Sequence, residues 1–186
     1  MPKKIDEARL FNAAMRLWVE RGYSGTTTKL IAERAGVNEA TLFRRYGGKA
    51  ELVTAAICEP LRSAPLRKVK ATDDLNADLL CIVEAYQETH RQIGAVIPLL
   101  LIEASRHPEL RPALEVTREN IGFLTRVIEH HQASGALQKE EPLVSLTRLL
   151  GPLFALGLFH GAGSATPPLD PERHVRAFLH GQASRS

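Results

Sequence analysis

The sequence predicts an all-α protein of about nine helices, with a small three-helix head at the N-terminus and a larger helical body after it. Three observations carry that prediction. Apolar residues recur at helical spacing in nearly every segment, alternating strand patterns bounded by hairpin turns are missing, and glycine, proline and capping residues punctuate the helical pattern. With 44% hydrophobic and 24% charged residues the chain can bury a core, and its 186 residues divide into a head of residues 1–50 and a body of residues 51–186.

Helix 1 is expected over about residues 5–21, with Ala8, Phe11, Ala14, Met15 and Trp18 on one face and Gly22 as its C-terminal stop. Thr26-Thr27-Thr28 offers capping hydroxyls to a second helix over about 29–35. Gly36 turns the chain, Asn38 caps a two-turn third helix over about 39–46, and Gly47-Gly48 closes it. Helix 4 runs from about 49 toward 62 and connects head to body, with Pro60 kinking or ending it. Pro65 and the polar stretch 68–74 form a link. Five more helical patterns lie near 74–92, 94–106, 109–133, 142–162 and 171–183. Their breaks fall at Gly94, His107-Pro108, Ser134-Gly135, Glu141-Pro142 and Pro167-Pro168, and ATPPLDP before the last helix reads as a turn.

The formal charge of +3 is unevenly placed. Residues 1–50 carry ten Lys and Arg against five acids, so the head is at +5 and the rest at −2. A positive end on a slightly acidic body points to a polyanion partner at that end, or to a solvated charged face. Cys58 and Cys81 have no CxxC or Cys/His spacing, so they read as buried thiols in a reducing cytoplasm, with no metal and no cofactor expected. No signal peptide is evident, and the apolar run LLGPLFALGLF at 149–159 falls short of the roughly 20 residues that span a bilayer, so no membrane partner and a cytoplasmic location are expected.

Two short helices joined by a tight glycine turn, the second amphipathic and basic at its end, describe a helix-turn-helix. The second must be short and exposed to enter a major groove about 12 Å wide. Gly36 permits the turn, Val37 and Leu42 point back to helix 1, and Glu39, Ala40, Thr41, Arg44 and Arg45 face outward. Thr27 and Thr28, at a helix N-terminus with free N–H groups, can bind a phosphate oxygen as well as cap. Lys29 can reach a phosphate or a base edge, and Lys49 a phosphate. Asn38 serves its helix as N-cap rather than as a base reader. Thr41 offers a methyl and a hydroxyl to a base, and Arg44 or Arg45 the fork for guanine, one of the two touching only phosphate. Glu39 either accepts from a cytosine amino group or improves the helix N-terminus.

Residues 8–53, ARLFNAAMRLWVERGYSGTTTKLIAERAGVNEATLFRRYGGKAELV, resemble the DNA-binding domain of the TetR (tetracycline repressor) family of transcriptional regulators. The GY after helix 1, the TT before helix 2, IAERAGV, the aromatic pair of TLF-x-x-Y and Lys49 carry the resemblance. It implies an N-terminal helix-turn-helix domain and a C-terminal helical domain for ligand binding and dimerisation. The family's usual tyrosine, a phosphate clamp, is Phe43 here, and Tyr46 stands where phenylalanine is common; Tyr46 then packs on helix 1 or replaces the lost contact.

A two-turn reading head needs a second copy on a palindromic site, so a homodimer is expected. Leu146, Leu149, Leu150, Leu153 and Phe154 on the helix at 142–162, with Gly157 and Gly161 four apart, form the best candidate face, with intramolecular core as the alternative. Val175, Phe178 and Leu179 complete a four-helix interface as the resemblance implies. The resemblance also implies a repressor released from double-stranded DNA by a small-molecule effector. Tyr86, His90, Glu103, Phe123 and His130 are the pocket candidates, and VIPLLLI at 96–102 favours an apolar ligand.

The alternatives are a transcriptional activator, a ligand-independent DNA-binding protein and, last, an all-helical enzyme. Enzymatic signatures are missing: no Glu has His three residues later, and no phosphate loop, GxSxG or HExxH occurs. His130 and His131 are adjacent and point to different sides of a helix. No catalytic residue is expected.

Overall fold

The computed structural model describes residues 6–161 and 169–182. Lys3, Lys4, the helix start at Ile5 and the Pro167-Pro168 break lie outside the described residues. Within them are nine α-helices: α1 Glu7–Gly25, α2 Thr28–Ala35, α3 Glu39–Tyr46, α4 Lys49–Arg62, α5 Leu75–Ile93, α6 Val96–Glu103, α7 Arg111–Ala133, α8 Pro142–Gly161 and α9 Pro171–Gln182. Two short 3-10 turns, Pro65–Lys68 and Pro108–Leu110, complete the elements.

The chain forms two compact units, one of residues 1–62 with 95–117, the other of 63–94 with 118–186. In the first, α1 is the floor. Leu10, Ala13, Ala14, Leu17 and Trp18 are buried, while Ala8 is exposed and Phe11 and Met15 are half-buried. The buried stripe is thus rotated from the expected one, since α1 is covered on one side by α2 and on others by α4 and α6. Gly22 ends the regular helix with φ 68° and ψ 174°, a conformation that L side chains avoid. Glu103 closes this break: its carboxylate accepts from the buried Trp18 indole N–H and, at 2.9 Å, from the Tyr23 backbone N–H that the break deprives of a helical partner. A Cβ at residue 22 would stand 3.0 Å from Glu103 Oε1, so glycine is needed for space as well as for φ.

The second unit is built around Leu79, Ile82 and Val83 of α5, Leu124, Val127 and Ile128 of α7, Leu146, Leu149 and Leu153 of α8, and Val175 and Phe178 of α9. A buried polar cluster around Asp78 lies inside it. Asp78 accepts from the Thr72 backbone N–H at 2.7 Å and the Thr72 hydroxyl at 2.8 Å, and shares a 2.8 Å hydrogen bond with His131 Nε2. Burial disfavours its charge, but these partners outweigh burial and hold its pKa below the usual carboxylate value. A carboxylate depressed on folding stabilises above its unfolded pKa of about 4 and loses that contribution as pH falls through the folded value. Acid unfolding followed by circular dichroism should therefore steepen below about pH 4, and Asp78→Asn should remove part of that dependence.

Cys58 is buried as expected, but Cys81, on the outward side of α5, is exposed, and helix α8 corrects a second expectation. The apolar segment is not cut short at 149–159; the helix runs for 20 residues, and by length and composition Pro142–His160 could cross a membrane, with only 28% of that stretch buried. Its buried side, Leu146, Leu149 and Leu153, belongs to the unit's own core.

Candidate nucleic-acid interface

The reading head follows from local signals. Thr27 caps α2, its hydroxyl accepting from Leu30 N at 3.2 Å. Gly36 adopts the left-handed conformation, φ 70°, and Asn38 caps α3 by accepting from Ala40 N at 2.8 Å. Gly47, φ 85°, closes α3. Of α3's side chains only Leu42 is fully buried; Thr41 and Tyr46 are half-buried, while Ala40, Phe43, Arg44 and Arg45 are exposed. Phe43, at 49% exposure, is an apolar ring offered to solvent.

Several expected contacts have partners of their own. The Thr28 hydroxyl is turned inward and donates to Glu39 Oε1 at 2.6 Å, so Glu39 ties α3 to the start of α2 and Thr28 is not a free phosphate ligand. Lys49 donates to the Tyr23 carbonyl at 3.0 Å and sits 4.1 Å over the Tyr23 ring. That ring is buried, and burial followed by Glu109 raises its phenol pKa. Tyr46 packs edge-on against Phe11, ring centroids 5.9 Å apart, the first of the two roles expected for it. Its hydroxyl donates to Glu7 Oε1 at 3.1 Å; burial and then Glu7 raise its pKa. Arg45 forms an ion pair with the same Glu7 oxygen. Both partners are about half exposed, so the pair adds at most about 1 kcal/mol to stability. Arg44, Thr27 and Lys29 stay exposed, and among the described residues Arg44 has no ion pair.

In the second unit, Tyr86, Gln87, His90 and Arg91 of α5, Leu153, Leu156, Gly157 and His160 of α8, and Leu169 line a cavity of about 320 Å³. The Tyr86 and His90 rings stack at 6.0 Å. Burial pushes the Tyr86 pKa up to about 12, while burial and then His160 hold His90 below the ordinary imidazole value. Gly157 is glycine because a Cβ there would overlap the His90 ring.

Three pocket candidates lie elsewhere. Glu103 binds Trp18 and Tyr23, Phe123 is flanked by the guanidinium groups of Arg67 at 4.9 Å and Arg126 at 5.1 Å, and the exposed His130 lies 4.0 Å from Asp73. A polar residue in an apolar stripe marks an internal partner as readily as a ligand. The expected dimer residues are also largely spent: Leu146, Leu149, Leu153, Val175 and Phe178 are core, Leu150 and Leu179 pack against it, and Gly157 receives His90. Phe154 is half-buried, and Gly161 ends α8. The large apolar residues that α8 leaves exposed are Leu143, Val144, Leu158 and Phe159.

Residues 10–56 match the family described as bacterial regulatory proteins, tetR family. The HTH-type transcriptional regulator Rv1556 of Mycobacterium tuberculosis is 35% identical over 109 residues, 59% of this chain; the chain spans about half, 53%, of that relative's length. Among solved structures, the flavonoid-responsive regulator FrrA is 25% identical with a TM-score of 0.63, covering 97% of this chain and 98% of that one. The fatty acid degradation regulator FadR from Bacillus halodurans is 17% identical with a TM-score of 0.68, covering 97% and 95%, a likeness of fold. With its capped and glycine-turned α2–α3 pair inside the matched segment, residues 10–56 form a helix-turn-helix of the kind described for bacterial regulatory proteins of the tetR family.

Proposed function

We propose that the protein is a dimeric repressor that reads a palindromic duplex operator with α3 and leaves it when a small, largely apolar molecule enters the cavity of the second unit. The observation that carries this reading is the exposed, basic end of α3, aimed outward by the Gly36 turn and the Asn38 cap. Thr27, Lys29, Thr41, Arg44 and Arg45 are the contacts assigned to DNA, with Lys49 acting through Tyr23 to hold the start of α4. A duplex partner puts the working protein in the cytoplasm.

The effector is assigned by the cavity's chemistry: leucine walls for an apolar body, and the Tyr86 phenol and His90 imidazole for one or two hydrogen bonds. FrrA, named for its response to flavonoids, offers a precedent of that kind, planar and mostly apolar with hydroxyl groups.

Dimerisation is assigned to the exposed face of α8. Leu143, Val144, Leu158 and Phe159 flank Gly151 and Ala155, small residues four apart that let a second helix approach closely. A second copy suits this face better than lipid, because the other side of α8 already belongs to the core of its own unit. Sedimentation velocity at micromolar concentration should give a dimer, and the double substitution Leu158→Arg, Phe159→Arg a helical monomer that binds palindromic DNA at least about tenfold more weakly. A monomeric wild-type protein would contradict the paired-head reading.

A further inference from the structure

Glu7 stands at the start of α1, 38 residues before Arg45, yet its Oε1 receives both the Arg45 guanidinium and the Tyr46 hydroxyl, the latter at 3.1 Å. The guanidinium also lies 5.9 Å from the centroid of the Tyr46 ring, which is itself braced on Phe11. Arg45 is thus seated, whereas its neighbour Arg44 projects into solvent with no ion pair among the described residues. The two arginines of the recognition helix are chemically alike and electrostatically different. The pair is too exposed to matter much for stability, so its consequence lies in what the guanidinium can do next.

A carboxylate and a DNA phosphate compete for the same forked donor. Binding to arbitrary duplex depends on how many cations neutralise phosphates, each contact adding about 0.9 to the slope of log affinity against log salt. We propose that Glu7 is a specificity-determining residue of the DNA-binding head: it engages Arg45 in the free protein and withholds that cation from indiscriminate phosphate contact. Only a register in which the rest of α3 is already held delivers a phosphate close enough to take Arg45 from Glu7. The inference rests on the DNA-binding reading and adds to it an internal anion that lowers affinity for wrong sites.

The test is fluorescence anisotropy of the full chain with a random-sequence duplex of about 24 base pairs, in KCl from roughly 50 to 200 mM. Glu7→Gln keeps the side chain's shape and an acceptor oxygen, and unfolding curves verify that the fold is retained. The variant should bind the random duplex about fivefold more tightly at 0.1 M salt, with a slope steeper by about 0.9. In an Arg45→Gln background, Glu7→Gln should change neither quantity. An equal gain in both backgrounds would reduce Glu7 to bulk charge and overturn the proposal. No gain, or weaker binding, would overturn it too, making Glu7 a brace that aims Arg45 at DNA. A wild-type chain indifferent to any duplex would defeat the DNA-binding reading itself, and this proposal with it.

Discussion

Glu103→Ala should lower the stability of the protein by about 2–4 kcal/mol, the cost of leaving a buried indole N–H and a backbone N–H without an acceptor. Trp18 has no exposed surface, and the Glu103 carboxylate accepts its N–H while also taking the Tyr23 backbone N–H at the Gly22 break. The truncated side chain can serve neither donor. Glu103→Gln retains one acceptor oxygen and should lose roughly half as much. Trp18 is the sole tryptophan of the chain, so denaturant unfolding followed by its emission reports the site directly. A midpoint unchanged in Glu103→Ala would mean that the two donors are satisfied in another way.

The second large effect is on DNA. Arg44→Ala should weaken binding to the selected operator by about 1–3 kcal/mol, roughly tenfold to over a hundredfold, while affecting random duplex much less, because its guanidinium is free to fork onto a guanine edge. Arg45→Ala should weaken operator binding mainly through one phosphate contact, lowering the salt slope by about 0.9. Competition titrations with labelled operator and unlabelled random duplex separate the two outcomes. If Arg44→Ala reduced both affinities equally, Arg44 would be a phosphate contact and the assignment of the two arginines would be reversed.

Features set by a residue and its nearest neighbours in sequence were legible before any coordinates. Thr27 and Asn38 as caps, Gly22, Gly36 and Gly47 as breaks, and the outward basic end of α3 each depend on a few adjacent residues, and the structure has all of them. What could not be read depends on residues far apart in sequence. The Glu103 side chain reaches Trp18 across 85 positions and Glu7 reaches Arg45 across 38, and no spacing rule announces such pairs. Glu7 did carry one faint signal, an acid in the first turn of a helix that lies against a basic one. Helix α8 departs from the sequence-based expectation for a different reason. It is apolar on nearly every side, so periodicity could not say whether Leu146, Leu149 and Leu153 or Leu143, Leu158 and Phe159 faced the chain's own core. Likewise the spacing of Gly157 and Gly161 suggested a second helix, whereas Gly157 makes room for the His90 ring inside the same unit.

The claim on which the rest depends is that the exposed end of α3 reads base sequence from the major groove of duplex DNA. Selection of bound fragments from a random duplex library by the purified full chain tests it most directly. The account predicts enrichment of an inverted repeat whose half-site centres lie one helical turn, about 34 Å, or a multiple of it apart, and loss of that enrichment in Arg44→Ala. Retention of library DNA without any consensus, or an identical consensus from the Arg44→Ala protein, would contradict it.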